Sequence, residues 1–155
     1  MLQSSKKPTQ IQTPTADKLE AAYQLFCAHR TVPWSFELFK QSISTPFSLL
    51  ALQEQELVGY VIVSQRMDEG EIEDIYVSDK HRRQGIGALL LKETLARLKQ
   101  AKVDSVYLEV RQSNASAQRL YRQFDFSFTG ERKNYYSNPD GTQESAMLYQ
   151  WLGGR

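Results

Sequence analysis

The chain has 155 residues, enough for one domain with a sizeable core. Its 19 Lys and Arg against 18 Asp and Glu leave a formal charge of +1, which gives no global reason to expect nucleic acid or an acidic membrane as a partner. The single cysteine, Cys27, cannot close an internal disulfide and suits a reducing compartment. The opening MLQSSKKPTQIQTPT lacks an apolar core segment, so it reads as neither signal peptide nor membrane span, and a cytoplasmic protein is expected.

Residues 1–15 show no hydrophobic period and read as a loose arm or a first strand, with the domain proper spanning 16–155. Leu19, Ala22, Tyr23 and Phe26 recur at helical spacing, and Cys27 falls in the same run as a small buried residue. Pro33-Trp34-Ser35 marks a break, Ser35 is placed to cap a second helix through Phe36, Phe39 and Ile43, and Pro46 ends it. Ser48–Leu52, Leu57–Gln65 and Glu71–Val77 then read as successive antiparallel strands joined by short polar turns. A glycine loop follows, with a leucine-rich helix through Gln100. Ser105–Val110 reads as a buried strand, and Asn114 caps a helix through Ala117, Leu120 and Tyr121. Phe126–Arg132 and Ala146–Trp151 can form a hairpin around Asp140-Gly141. The expected fold is α/β: one domain with a central, mixed, mostly antiparallel sheet flanked by helices.

The loop Arg82-Arg83-Gln84-Gly85-Ile86-Gly87 sits at a strand-to-helix junction. Glycines there let the backbone approach a bulky anion, and the helix behind points unpaired N–H groups at it. It is not a Walker loop, since no Gly-Lys-Ser/Thr follows, nor a dinucleotide fingerprint, since Leu90 replaces the third glycine. Two guanidiniums beside a helix start favour a pyrophosphate over an empty turn.

These six residues resemble the Q/R-x-x-G-x-G/A signature of the GCN5-related N-acetyltransferases, and the order of elements is similar across almost the whole chain after residue 15. Within that superfamily, Leu108-Glu109-Val110-Arg111, Ser113-Asn114-Ala115, Leu120-Tyr121, Arg132-Lys133-Asn134-Tyr135-Tyr136, Asp140-Gly141 and Pro33-Trp34-Ser35 resemble the bacterial RimI family. The resemblance implies acetyl-coenzyme A as co-substrate, no metal, and the N-terminal alanine of ribosomal protein bS18 as acceptor. It also implies that Arg82–Gly87 hold the pyrophosphate. The backbone of Ile75, Tyr76 and Val77 would lie beside the acetyl group, and Asn114 beside the pantetheine arm. Two other readings stay open: a small amine or lysine as acceptor, and a coenzyme-A-binding module without catalysis.

Acetyl transfer to an amine needs a base for the ammonium and an acid for the leaving thiolate. Glu109 stands inside an otherwise apolar strand, where an acidic residue has no packing purpose, and it matches the family's general base. The blander reading is an edge carboxylate facing solvent or pairing with Arg111. Glu73 and Asp74 compete for the role, and alternation would put Glu71 and Glu73 on the face of Ile75 and Val77. Glu73 would otherwise bind the substrate amine. Tyr121 follows Asn114 by about two helical turns and matches the family's acid, whereas periodicity alone makes it a core residue. Tyr135 and Tyr136 resemble substrate-groove residues, and as strand neighbours they should face opposite ways, one to the peptide and one to the core. One departure stands out: Phe124-Asp125-Phe126 replaces the family's Leu-Gly-Phe, where glycine suits a positive φ.

Overall fold

A computed structural model describes residues 7–153, so the first six residues of the expected arm and the last two of the chain lie outside it. Along the chain come β1 (Gln10–Gln12), a 3₁₀ turn at Ala16–Lys18 leading into α1 (Leu19–Ala28), α2 (Phe36–Ile43), β2 (Leu49–Gln53), β3 (Glu56–Arg66) and β4 (Glu69–Val77). The second half carries α3 (Ile86–Gln100), β5 (Ser105–Arg111), α4 (Ala115–Gln123), β6 (Ser127–Ser137) and β7 (Gln143–Leu152). All the strands form one sheet in the order β1-β2-β3-β4-β5-β7-β6. Every neighbouring pair is antiparallel except β4 with β5, whose parallel pairing requires the α3 crossover. The fold is the expected α/β sheet flanked by helices, and no described helix is long and apolar enough to cross a membrane.

The uniform apolarity of β3 has a simple cause: it is buried on both faces. Val58, Val61 and Val63 pack with Leu90, Leu91, Leu95 and Leu98 of α3 and with Tyr121 of α4. Tyr60 and Ile62 point the other way, into a layer with Phe26 of α1 and Phe39 and Ile43 of α2. Ser35 caps α2 as expected, its Oγ accepting from the Leu38 N–H at 3.2 Å. Asn114 does the same for α4, its Oδ1 accepting from the Ala117 N–H at 3.2 Å. The strand β5, expected to be buried, is buried on one side only: Tyr107 and Glu109 alternate outward between Val106, Leu108 and Val110. The final hairpin is also longer than its apolar residues suggested, because the Asp140 side chain ties its own turn by accepting from the Thr142 N–H at 2.9 Å.

Two irregularities place the site. The β4–β5 ladder pairs Glu69–Ile72 with Ser105–Leu108 and then stops. Beyond it β4 stays paired to β3 as far as Val77, and β5 stays paired to β7 as far as Arg111. The two strands therefore part into a fork. A β-bulge lies just there, with Val63 opposite Ile72 and Ile62 opposite Asp74, so Glu73 is the extra residue. The bulge reverses the phase of β4. Glu71 consequently lies on the face opposite Ile75 and Val77, contrary to the simple alternation expected of this strand.

The Asp125 substitution sits where glycine would be expected. Its N–H bonds to the Arg122 carbonyl at 3.1 Å, the Phe126 N–H bonds back to the Tyr121 carbonyl at 3.0 Å, and Asp125 has φ 68°. That is a Schellman ending with aspartate in the left-handed position. Asp125→Gly should stabilise the protein by about 0.5–1 kcal/mol, a rise of roughly 1–4 °C in Tm by calorimetry.

Candidate active site

The fork opens onto a cavity of about 580 Å³. Glu71, Glu73, Asp74 and Ile75 line it from β4, Glu109 and Arg111 from β5, and Asn114 and Tyr121 from α4. The segment after α1 closes one side with His29, Arg30, Val32 and Trp34, and β6 closes the other with Tyr135 and Tyr136. Glu73 and Glu109 are the first residues beyond the last paired positions of the ladder. Glu71 has its carboxyl pushed up, first by burial and then by the charges of Glu73 and Glu109. Three carboxylates thus share a neighbourhood that favours a cation.

Glu109 is about a quarter exposed, and its ion-pair partner is Arg132 at 3.5 Å rather than Arg111. Arg111 is committed elsewhere: it meets Glu144 at 3.1 Å and Asn138 at 3.0 Å, and its guanidinium lies 4.3 Å from the Tyr136 ring centre. A long contact to a half-exposed arginine leaves the Glu109 oxygens open to the cavity.

Asp74 differs sharply. Its Oδ2 accepts from the Tyr60 hydroxyl at 2.5 Å and lies 3.2 Å from His29 Nε2, while Oδ1 lies 3.8 Å from Arg30. Burial, and then the Asp74 charge, hold the Tyr60 hydroxyl far above the ordinary tyrosine range, so it remains a donor. His29 also bonds the Tyr60 hydroxyl at 2.7 Å and stacks on Tyr76, ring centres 3.9 Å apart. Asp74 is therefore an anchor joining the end of α1 to β4. His29 carried no signal in the sequence, because its partner Asp74 stands 45 positions away.

Tyr121 satisfies both of its readings. Its ring packs against Phe126 and Tyr149, yet the residue borders the cavity. Burial first, then Asp74 and Tyr136, push its hydroxyl well above the ordinary range, so it stays protonated at neutral pH. Tyr135 and Tyr136 depart from expectation, since both border the cavity and neither is core. Between the pairs Arg132↔Ala146 and Tyr136↔Glu144 the β6 strand holds two extra residues, and Asn134 turns to φ 54°, which breaks the alternation.

The loop at residues 82–87 lies beyond the fork, at the end of β4. Arg83 and Gly85 both take left-handed backbone, φ 63° and 74°, and Gly85 is the N-cap of α3. The loop thus leads straight into the unpaired N–H groups of the first turn of α3, a cradle that suits an anion. The first turn of α3 has no acidic residue to compete for its positive end. Arg82, however, faces the protein: its Nε donates to the Val77 carbonyl at 3.1 Å, and it meets Asp79 at 3.1 Å. Tyr76 and Val77 lie outside the cavity lining, Tyr76 on the face covered by α1.

The acetyltransferase (GNAT) family pattern matches residues 17–126. The chain is similar to the [ribosomal protein bS18]-alanine N-acetyltransferase of Haemophilus influenzae, 32% identical over 130 residues, 83% of this chain and 88% of that protein. The Escherichia coli K12 protein of the same name is 30% identical over 131 residues, 84% of this chain and 88% of that protein. The crystal structure of the ribosomal-protein-S18-alanine N-acetyltransferase from Escherichia coli superposes with a TM-score of 0.87 at 28% identity, covering 96% of each chain.

The two loop glycines should respond oppositely to alanine. A Cβ on Gly87 meets only Leu120 at 3.6 Å and Val77 at 3.9 Å, ordinary contacts, so Gly87→Ala should stabilise α3 by about 0.5 kcal/mol. Gly85→Ala should cost about 1–2 kcal/mol, because alanine resists the left-handed region. Urea unfolding of the two variants measures both signs.

Proposed function

Because the chain belongs to the acetyltransferase (GNAT) family, we propose that it carries an acetyl group from acetyl-CoA to the N-terminal alanine of ribosomal protein bS18, in the cytoplasm. One observation carries the reading: Glu109 and Tyr121, whose hydroxyl stays protonated, line a single cavity at the fork, and the cradle follows at the end of the same strand β4. The names of the relatives supply the acceptor.

The residues fit the coenzyme. The cradle at Arg83–Gly87 suits a pyrophosphate, and the fork leaves the inward edge of β4 unpaired beside Ile75. When bound, acetyl-CoA supplies an activated thioester. A backbone N–H in the stretch Ile75–Val77 is free of the β5 ladder and can donate to the thioester oxygen. Asn114, the N-cap of α4, lines the cavity and would steady the pantetheine arm. Glu73 and its neighbours hold the acceptor's α-ammonium by charge, and Tyr135 and Tyr136 flank the peptide.

An α-amine titrates near pH ~7.7–8.0 in water, so much of it arrives protonated at neutral pH and must lose a proton before attack. Glu109 takes that proton, since its oxygens are open, whereas those of Asp74 are held by Tyr60, His29 and Arg30. Tyr121 gives a proton to the departing sulfur. Cys27 lies in α1 away from the cavity lining, and direct attack by the amine needs no covalent enzyme intermediate.

Thiol release from a short peptide carrying the bS18 N-terminus should be robust, and absent when the same peptide is blocked at its α-amine. Glu109→Gln should lower kcat/KM by about 10²–10³-fold with the affinity for acetyl-CoA retained. Unchanged kcat/KM between about pH 6 and 9 would remove Glu109 as the base. Tyr121→Phe should lower kcat by about tenfold or more while leaving peptide KM within about twofold.

A further inference from the structure

The coenzyme cradle is a strained piece of chain. Arg83 and Gly85 both sit in left-handed backbone, and only the second is a glycine. The residue between them, Gln84, makes the only side-chain hydrogen bond of residues 83–87 among the described residues. Its Oε1 accepts from Gln53 Nε2 at 2.8 Å. Gln53 is the last residue of β2 and is 3% exposed. The same Nε2 donates to Thr9 Oγ1 at 3.1 Å. Thr9 immediately precedes β1, whose partner in the sheet is β2.

We infer that Gln53, with Thr9, is a positioning residue that holds the coenzyme cradle in its binding shape through Gln84. A buried amide finds little water, so both of its N–H groups depend on these partners. If the cradle relaxed out of its left-handed turns, Gln84 would move and leave a buried donor unpaired. The bond therefore resists the relaxation that strain would otherwise drive, and coenzyme binding need not supply the ordering. The N-terminal segment, which sequence alone could not assign a role, becomes a structural part of the coenzyme site. This rests on the reading of residues 82–87 as the coenzyme's pyrophosphate grip.

Isothermal titration of acetyl-CoA into the full chain tests the inference. Gln53→Leu should weaken binding about tenfold, equivalent to about 1.4 kcal/mol. Gln84→Ala should do the same, and the double variant should be no worse than either alone, because the two residues act through one bond. In Gln53→Leu the peptide KM and the kcat at saturating acetyl-CoA should stay within about twofold, a split that general loosening of the fold would not give. Thr9→Val, at a partly exposed site, should cost about threefold and serves if Gln53→Leu does not fold. Unchanged affinity in the variants, additive losses in the double variant, or an equal rise in peptide KM overturns the role of Gln53. Failure of the unmodified protein to bind acetyl-CoA would instead overturn the functional reading beneath it.

Discussion

The early end of the β4–β5 ladder is the constraint on which the rest depends. Four residue pairs bond and then the strands separate, each still held by its other neighbour. A sheet rarely tolerates an unpaired backbone edge in its middle unless something else meets it. Here the gap leaves the inward edge of β4 without a β5 partner and opens onto the cavity. The bulge at Glu73 belongs to the same device, since it turns Asp74 toward α1 and leaves Glu73 at the mouth of the fork.

Around that gap the protein sorts its carboxylates by the company they keep. Asp74 is saturated by Tyr60, His29 and Arg30 and locks two layers together. Glu109 has one long, half-exposed partner and remains available. Glu71 and Glu73 add to the local negative potential, and burial together with the charges of Glu73 and Glu109 holds the Glu71 carboxyl above its ordinary range. Position in the chain does not distinguish these groups; hydrogen-bond occupancy does.

Much of the fold was legible because its signals are local. Hydrophobic spacing located the helices, Ser35 and Asn114 cap them through bonds three residues long, and turn chemistry marked the hairpins. The glycine turn at the start of α3 was legible for the same reason, and so was the left-handed residue at Asp125. What the sequence hid was long-range register. The bulge at Glu73, the slip that turns both tyrosines of β6 toward the cavity, and the end of the β4–β5 ladder all depend on a partner strand. His29 and Gln53 were missed on that account, each bonding to a partner more than thirty positions away. Arg82, expected at an anion from its place beside the glycines, is half exposed and meets Val77 and Asp79 with part of its guanidinium.

The crowding of Glu71, Glu73 and Glu109 also bears on turnover. In the proposed reaction an acceptor that arrives as an ammonium is attracted by this cluster, and its acetylated product is a neutral amide with no charge for the cluster to hold. The force that draws the peptide in vanishes with the chemistry, while the carboxylates left behind regain their mutual repulsion and their preference for water. In the proposed reaction this loss of attraction favours exchange of the spent N-terminus for a fresh cationic one.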